Sequence, residues 1–281
     1  MIDLRQTQEY TRYMESLGWK SLQLKKAHVY LKKIPLVGSV AKLQRPHKIP
    51  TAQQIRGFSK KHGIAVFYLE PQSPISPQSL LLHFAKNSFV PAKTIQIDLQ
   101  KSENELLSRC KAKTRYNIGL AKRRGVIVKR SADISRFCDL YKSASRERGM
   151  WLPQDSEIRA LWDAFSNTNN ADLLVAHKDA ELLGGVFVCY SQDTAYYMYA
   201  GSTKKGKKLF APTLLAWEAI RFAKKRKKKI FDFEGIYDER YPSTKTWRGF
   251  TKFKGGFGGK VVEYPKTLAY YRNPLLRILG I

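Results

Sequence analysis

The stretch Trp247–Gly259 reads Trp-Arg-Gly-Phe-Thr-Lys-Phe-Lys-Gly-Gly-Phe-Gly-Gly, with aromatics and cations interleaved before a glycine run. Glycine opens backbone conformations closed to other residues, so this segment has the means to bend sharply. In an extended chain Lys252 and Lys254 fall on one side, flanking Phe253. Both amines would then point into a cleft or away from it. A tight β-connection is the plainer use of the same residues.

Phe231-Asp232-Phe233-Glu234-Gly235-Ile236 alternates aromatic and acid at the end of an expected strand. Asp232 and Glu234 would share one side and the phenylalanines the other. Two acids among many cations could hold a substrate ammonium or accept its proton. Pairing with neighbouring lysines is the simpler role.

Three further segments are basic. Gly201–Pro212 follows an expected strand and opens a helix, carrying Lys204, Lys205, Lys207 and Lys208. Backbone amides at a helix N-terminus attract anions, so this is a candidate phosphate-contacting loop or else a solvated connection. Lys224, Lys225, Arg226, Lys227, Lys228 and Lys229 form an unbroken cationic run, which reads as a solvated face or as contacts to separate phosphates of a nucleic acid. Lys111–Ile118 includes Lys113 and Arg115 on an expected helix and has the same two readings.

The whole chain shares this bias. Its 281 residues hold 51 Lys plus Arg against 23 Asp plus Glu, a formal net charge of +28. Such an excess repels itself unless a polyanion shares the surface. Nucleic acid, an anionic membrane and phosphate-bearing small molecules are the candidate partners. The hydrophobic content of 43% supplies a real core, and 281 residues allow one large domain or two small ones. Cys110, Cys138 and Cys189 are widely spaced, and no Cys/His pattern suits a metal. These features, with an N-terminus lacking an apolar signal core, point to the cytoplasm. The longest apolar run, near Leu182–Tyr190, is too short to span a bilayer. The tail Leu268–Ile281 is expected to be an amphipathic helix bearing Arg272 and Arg277, docked as a terminal helix, with a membrane anchor as the alternative.

The elements that must position these residues follow from periodicity and caps. Helices are expected over Gln6–Leu17 and Ala52–His62, with strands over Trp19–Leu24, Ala27–Lys33, Val37–Leu43 and Ile64–Leu69. Pro71, Pro74 and Pro77 mark an irregular loop, and Ile95–Leu99 is a short strand. Ser102–Gly125 reads as a long or broken helix with a capping box at Ser102 and Glu105. Beyond it come a strand at Val126–Lys129, helices at Ile134–Arg148 and Glu157–Phe165, and strands at Asp172–Ala176, Leu182–Tyr190 and Thr194–Ala200. A helix over Pro212–Lys225 and strands at Ile230–Phe233 and Val261–Tyr264 complete the series. The order strand, two helices, three antiparallel strands, helix, strand matches the core of an N-acetyltransferase-like α/β domain. The first part of the chain shows a rougher version. The expected fold is therefore α/β, with two acetyltransferase-like domains in tandem, each a mixed, mostly antiparallel sheet flanked by helices. Residues 1–124 would form the first domain, with 265–281 packing back onto it, and 125–264 the second.

Four segments in this order, Lys113-x-Arg115-x-x-Ile118, Ala200–Trp217, Asp232-Phe233-x-Gly235-Ile236 and Phe250-x-x-Phe253-Lys254-x-x-Phe257-Gly258, resemble the FemABX peptidyltransferases, over roughly residues 100–265. The resemblance implies an aminoacyltransferase that moves an amino acid from aminoacyl-tRNA to an amine of a peptidoglycan precursor, nucleotide- or lipid-linked. It implies no cofactor: neither a metal nor acetyl-CoA. In the family the lysine of the Phe-Lys pair is credited with stabilising the transition state, which is Lys254 here. Phe253, Lys252, Asp232 and Glu234 would then line the substrate site. Lys208 is the nearest match to the basic residue that contacts a phosphate-bearing precursor. Lys113, Arg115 and Lys224–Lys229 would meet tRNA, and the protein would be a monomer, with peripheral contact to the inner membrane surface. An acyl-CoA-dependent N-acyltransferase and a non-enzymatic nucleic-acid-binding protein are the alternatives.

Overall fold

The computed structural model describes residues 2–75, 82–146 and 155–278. In chain order the elements are α1 (Gln8–Ser16), β1 (Lys20–Leu24), β2 (Ala27–Ile34), β3 (Gly38–Gln44), α2 (Ala52–Lys61), β4 (Ile64–Glu70), β5 (His83–Phe84) and β6 (Lys93–Asp98). Then come α3 (Glu103–Arg109), α4 (Ala112–Arg123), β7 (Ile127–Ser131), α5 (Ile134–Arg146), α6 (Asp155–Ser166), β8 (Ala171–Lys178), β9 (Glu181–Tyr190) and β10 (Thr194–Ser202). The last are α7 (Lys204–Lys208), α8 (Ala211–Lys225), β11 (Ile230–Gly235), α9 (Arg248–Lys254), β12 (Lys260–Glu263), β13 (Leu268–Tyr271) and α10 (Pro274–Ile278).

Two compact units result, and the chain passes between them repeatedly. One comprises Met1–Lys93, Gly235–Arg248 and Val262–Ile281; the other comprises Thr94–Glu234 and Gly249–Val261. The division after Lys93 differs from the expected boundary at residue 124. The reason is pairing: β6 lies beside β11 in the second sheet, and Lys224 on α8 donates to the carbonyls of Leu99 and Lys101 just beyond it. Arg221 on α8 also pairs with Glu103 on α3 at 2.7 Å.

The first unit is built on a six-stranded sheet in the order β1-β2-β3-β4-β13-β5. Strands β1, β2 and β3 are antiparallel neighbours, and β4 runs parallel to β3 after the crossover helix α2. Thr51 and Gln54 close a capping box at the start of α2, and Ile55 and Phe58 bury that helix against Val29, Ala41, Leu43, Phe67 and Leu69. The tail does not begin as a helix. Leu268–Tyr271 pairs with β4 as a strand, and only the short α10 follows.

The second unit carries a seven-stranded sheet in the order β12-β6-β11-β10-β9-β8-β7. Here too three antiparallel strands, β8, β9 and β10, are followed by a helix, α8, and a strand parallel to the third, β11. The same order of three antiparallel strands, crossover helix and parallel strand therefore occurs twice, in tandem acetyltransferase-like form. The ladder between β9 and β10 slips between Tyr197 and Tyr199, a bulge that bends β10 just past the Thr194–Tyr196 stretch that pairs with β11. Phe231 and Phe233 are buried with Tyr197 in an aromatic cluster beneath the strand ends.

Three expectations fall partly elsewhere. Arg148, Pro77 and the last three residues of the tail lie outside the described residues.

Candidate functional site

Asp232 lies near the end of β11 and is fully enclosed. Its Oδ1 accepts the backbone N–H of Glu234 at 2.7 Å and the hydroxyl of Thr94; its Oδ2 accepts Gln96 Nε2 at 2.8 Å. Burial, reinforced by the nearby charge of Glu234, pushes its carboxyl up to about 6, against the pull of those three donors. Thr94 and Gln96 are alternate residues of β6, whose Ile95 and Ile97 are buried on the opposite side. A polar face on an otherwise apolar strand is a signal that sequence reading passed over.

Glu234 breaks the expected alternation. Its φ is +58°, the left-handed region that non-glycine residues seldom occupy. The turn directs its backbone N–H at Asp232 instead of into a ladder. Strain of this kind persists where surrounding structure overdetermines it, commonly at functional sites.

Facing these acids is Lys254, the last residue of α9. Desolvation lowers its ammonium to about 8, while the carboxylates of Glu234 and then Asp232 act in the opposite direction. The Trp247–Lys254 stretch is not extended, as its aromatic–cation alternation suggested; Arg248–Lys254 is helical. On a helix, residues two apart project nearly oppositely. Lys252 is accordingly exposed while Lys254 is half-buried. Phe253 packs edge-on to Phe257 at 5.4 Å, and Phe257 lies 5.3 Å from Phe233. The aromatic chain thus fixes the rotation of α9 and with it the direction of Lys254.

The glycines serve close packing behind the lysine. Gly258 has φ +79°, and a Cβ there would stand 2.2 Å from the carbonyl oxygen of Arg109. The expected helix over Ser102–Gly125 breaks at Cys110 and Lys111, and the freed amide of Lys111 bonds to the Gly256 carbonyl at 2.8 Å. Arg115 Nη1 donates to the carbonyls of Ser108 and Cys110, capping the end of α3. Its guanidinium closes the break that holds the glycine turn. Lys113 is exposed in the first turn of α4.

The six-residue cationic run separates into two kinds. Lys224 is bonded to the Leu99 carbonyl at 2.9 Å and the Lys101 carbonyl at 2.7 Å. Arg226 grips the buried Asp172 through Nε at 2.7 Å and Nη2 at 3.0 Å, beside the Tyr190 ring. Lys228 donates to the Ser191 carbonyl at 2.7 Å, and Lys229 pairs with Asp193 at 2.9 Å. Lys225 and Lys227 are exposed, as is the ion-paired Lys229.

Lys208 is exposed at the end of α7. The loop around it is mostly closed to an anion. Thr203 N–H bonds to Leu183, Gly206 N–H to the Thr203 hydroxyl at 2.9 Å, and Lys207, Leu209, Phe210 and Thr213 amides to carbonyls of the same segment. Gly206 is required by close approach, since a Cβ would lie 2.0 Å from the Leu183 carbonyl oxygen.

Of the residues singled out in the sequence, Asp232, Glu234, Phe253 and Lys254 come together within the second unit, whereas Lys224, Arg226, Lys228, Lys229 and Arg115 are engaged in its scaffold. Residues 166–278, which include this cluster, match the profile of the FemAB family. No curated protein sequence matches the chain. The fold is similar to that of FemX, at 15% identity and a TM-score of 0.82, covering 99% of this chain and 95% of that one. It is also similar to L-PGS from Bacillus licheniformis (15% identity, TM-score 0.58, 95% and 89% coverage) and to a tandem GNAT protein from the clavulanic acid biosynthesis pathway (13% identity, TM-score 0.53, 88% and 79% coverage). Among the described residues no helix is long and apolar enough to cross a membrane.

Proposed function

We propose that the chain, whose residues 166–278 match the FemAB family profile and whose fold is similar to that of FemX, is an aminoacyltransferase of peptidoglycan bridge formation. It would move an amino acid from the ester of an aminoacyl-tRNA to an amine of a muropeptide precursor. The observation that carries this reading is a desolvated lysine, Lys254, set against Asp232 and Glu234 by a rigid aromatic support.

In this reaction the acceptor amine attacks the ester carbonyl, and the carbonyl oxygen becomes an oxyanion. Lys254 donates to that oxygen. A fixed donor of this type contributes roughly 3–4 kcal/mol, and a low-dielectric position strengthens it. The intermediate then expels the ribose oxygen, breaking the ester as the amide forms. The amine nitrogen loses one proton, which leaves with the ribose hydroxyl or through Glu234. Asp232 is poorly suited as that base, because three donors already occupy its oxygens. It serves as a fixed counter-charge that keeps Lys254 protonated. No nucleophilic side chain is needed, since the donor is already an activated ester.

The nearly closed amide set between Thr203 and Thr213 supports an RNA-linked donor over a coenzyme A pyrophosphate, which would need free amides there. The test is mass spectrometry of a muropeptide precursor incubated with the protein and mixed aminoacyl-tRNAs, with an acyl-CoA mixture in parallel. A mass increase of one or more amino-acid residues that depends on charged tRNA is expected. Modification by acyl-CoA alone, or none with charged tRNA, overturns the proposal.

A further inference from the structure

One end of the six-stranded sheet presents leucine and isoleucine to solvent without a packing role. The β2–β3 hairpin turns through Ile34-Pro35-Leu36-Val37, closed by the Val37 amide on the Ile34 carbonyl at 3.3 Å. Leu36 has φ +65°. Proline second and a positive φ third is the type II pattern, whose third position favours glycine. Leu36 therefore accepts backbone strain, yet its side chain is fully exposed, at 107% of the reference area. Neither local conformation nor the core accounts for a leucine there.

The short α10 reaches the same end. Gly38 pairs across from Ile34, Ser39 pairs with Ile64, and the amide of Arg272 bonds to the Ala65 carbonyl at 2.9 Å. Val37 of the hairpin and Leu276 of α10 both pack on the cluster of Val40, Ala65 and Val66. On the outer side of that shared support, Leu275 and Ile278 are 62% and 78% exposed, and Ile34 is also exposed. Around these apolar side chains stand exposed Lys33, Lys60, Lys61, Arg272 and Arg277. Lys60 and Lys61 come from the end of α2, directly before β4. The stretches 27–44, 52–69 and 264–278 that reach this end contain no Asp or Glu, and the α1–β1 turn, whose Leu17 carbonyl accepts Lys32 Nζ, adds one carboxylate, Glu15.

We propose that this end of the first unit is a docking face for an anionic phospholipid bilayer, with Leu36, Leu275 and Ile278 entering the headgroup–acyl boundary and the basic rim facing lipid phosphates. Apolar side chains ringed by cations that far outnumber carboxylates are the chemistry of an interfacial anchor. A protein partner or a nucleic acid meets only half of that description. Docking of this kind needs no transmembrane helix and holds the protein reversibly.

The test is cosedimentation of the full chain with vesicles of phosphatidylcholine alone or mixed with phosphatidylglycerol. It reads membrane affinity without turnover, so its outcome is independent of the aminoacyl-transfer reading. The chain is expected to bind the mixed vesicles and to be released by salt. Leu36→Gly relieves the turn, so its unfolding temperature should stay level or rise while its partition coefficient falls about tenfold. Lys60→Gln with Lys61→Gln should weaken binding about fivefold per charge, on mixed vesicles only. The proposal is overturned if the wild-type chain binds neither vesicle, if it binds both equally, or if Leu36→Gly binds as the wild type does. A Leu36→Gly variant that loses self-association while keeping vesicle binding would mark the face as a contact between copies and overturns it equally.

Discussion

The run Lys224–Lys229 and the segment around Lys254 carry their positive charge to different ends. In the first, four of six cations are tied to carbonyls or carboxylates of their own unit, and Arg226 neutralises the buried Asp172. In the second, one lysine is drawn out of water toward two acids, and its ammonium is destabilised enough to titrate near physiological pH. Density of charge in a sequence therefore marks scaffold here. The chemically poised cation is the one flanked in the chain by Phe253 and Gly255.

The sharpest way to break this comparison is Lys254→Met. Turnover should fall about a hundredfold to a thousandfold, with precursor affinity and unfolding temperature little changed. Normal transfer by the purified variant would remove Lys254 from the chemistry. The pH profile comes next. Lys254 is charged below about 8 and neutral above it, so turnover should decline about tenfold per pH unit on the alkaline side. Lys254→Arg keeps its charge, so whatever activity it retains should not decline there; an identical alkaline limb in both proteins would assign the titration to another group.

Arg226→Ala tests the scaffold half. It strips the bidentate partner from Asp172, leaving Arg130 and the Tyr190 hydroxyl. Stability in urea should drop by about 2 kcal/mol, with any loss of activity following the unfolded fraction. A variant as stable as the wild type but unable to bind tRNA would return Arg226 to the nucleic-acid surface. The smallest effect belongs to Lys225→Gln with Lys227→Gln, two exposed positions. Stability should move by no more than about 0.5 kcal/mol, and the salt dependence of tRNA binding should flatten by about one phosphate contact for each lysine removed. An unchanged slope would leave this helix end without a role in RNA binding.

Much of the architecture was legible because caps, and apolar runs separated by tight turns, fix it locally. The capping box at Ser102 and Glu105 and the β8–β9–β10 meander are examples. The helix α9 was not, because alternation of Phe and Lys imitates a strand while tertiary packing of Phe253 on Phe257 imposes a helix. The tail misled in the reverse direction. Leu268–Ile281 reads as one amphipathic helix, but the open edge of β4 recruits Leu268–Tyr271 as a strand. In the site, Asp232, Glu234 and Lys254 stood out by type and order. Thr94 and Gln96 are 138 and 136 residues from Asp232, and no local pattern connects them to it. The boundary of the units was equally hidden, since it depends on which sheet β6 joins.

The position of β13 has a consequence for how the protein is born. It lies between β4 and β5, and among the described residues β5 pairs with no other strand. During synthesis, β4 must therefore wait with its outer ladder unsatisfied until about two hundred residues later, when Leu268–Tyr271 emerges from the ribosome. Over that interval the nascent chain exposes a sticky strand rich in Val66, Phe67 and Leu69. Completion of the first sheet is thus a late, long-range event, and it is there that chaperones would have most to protect.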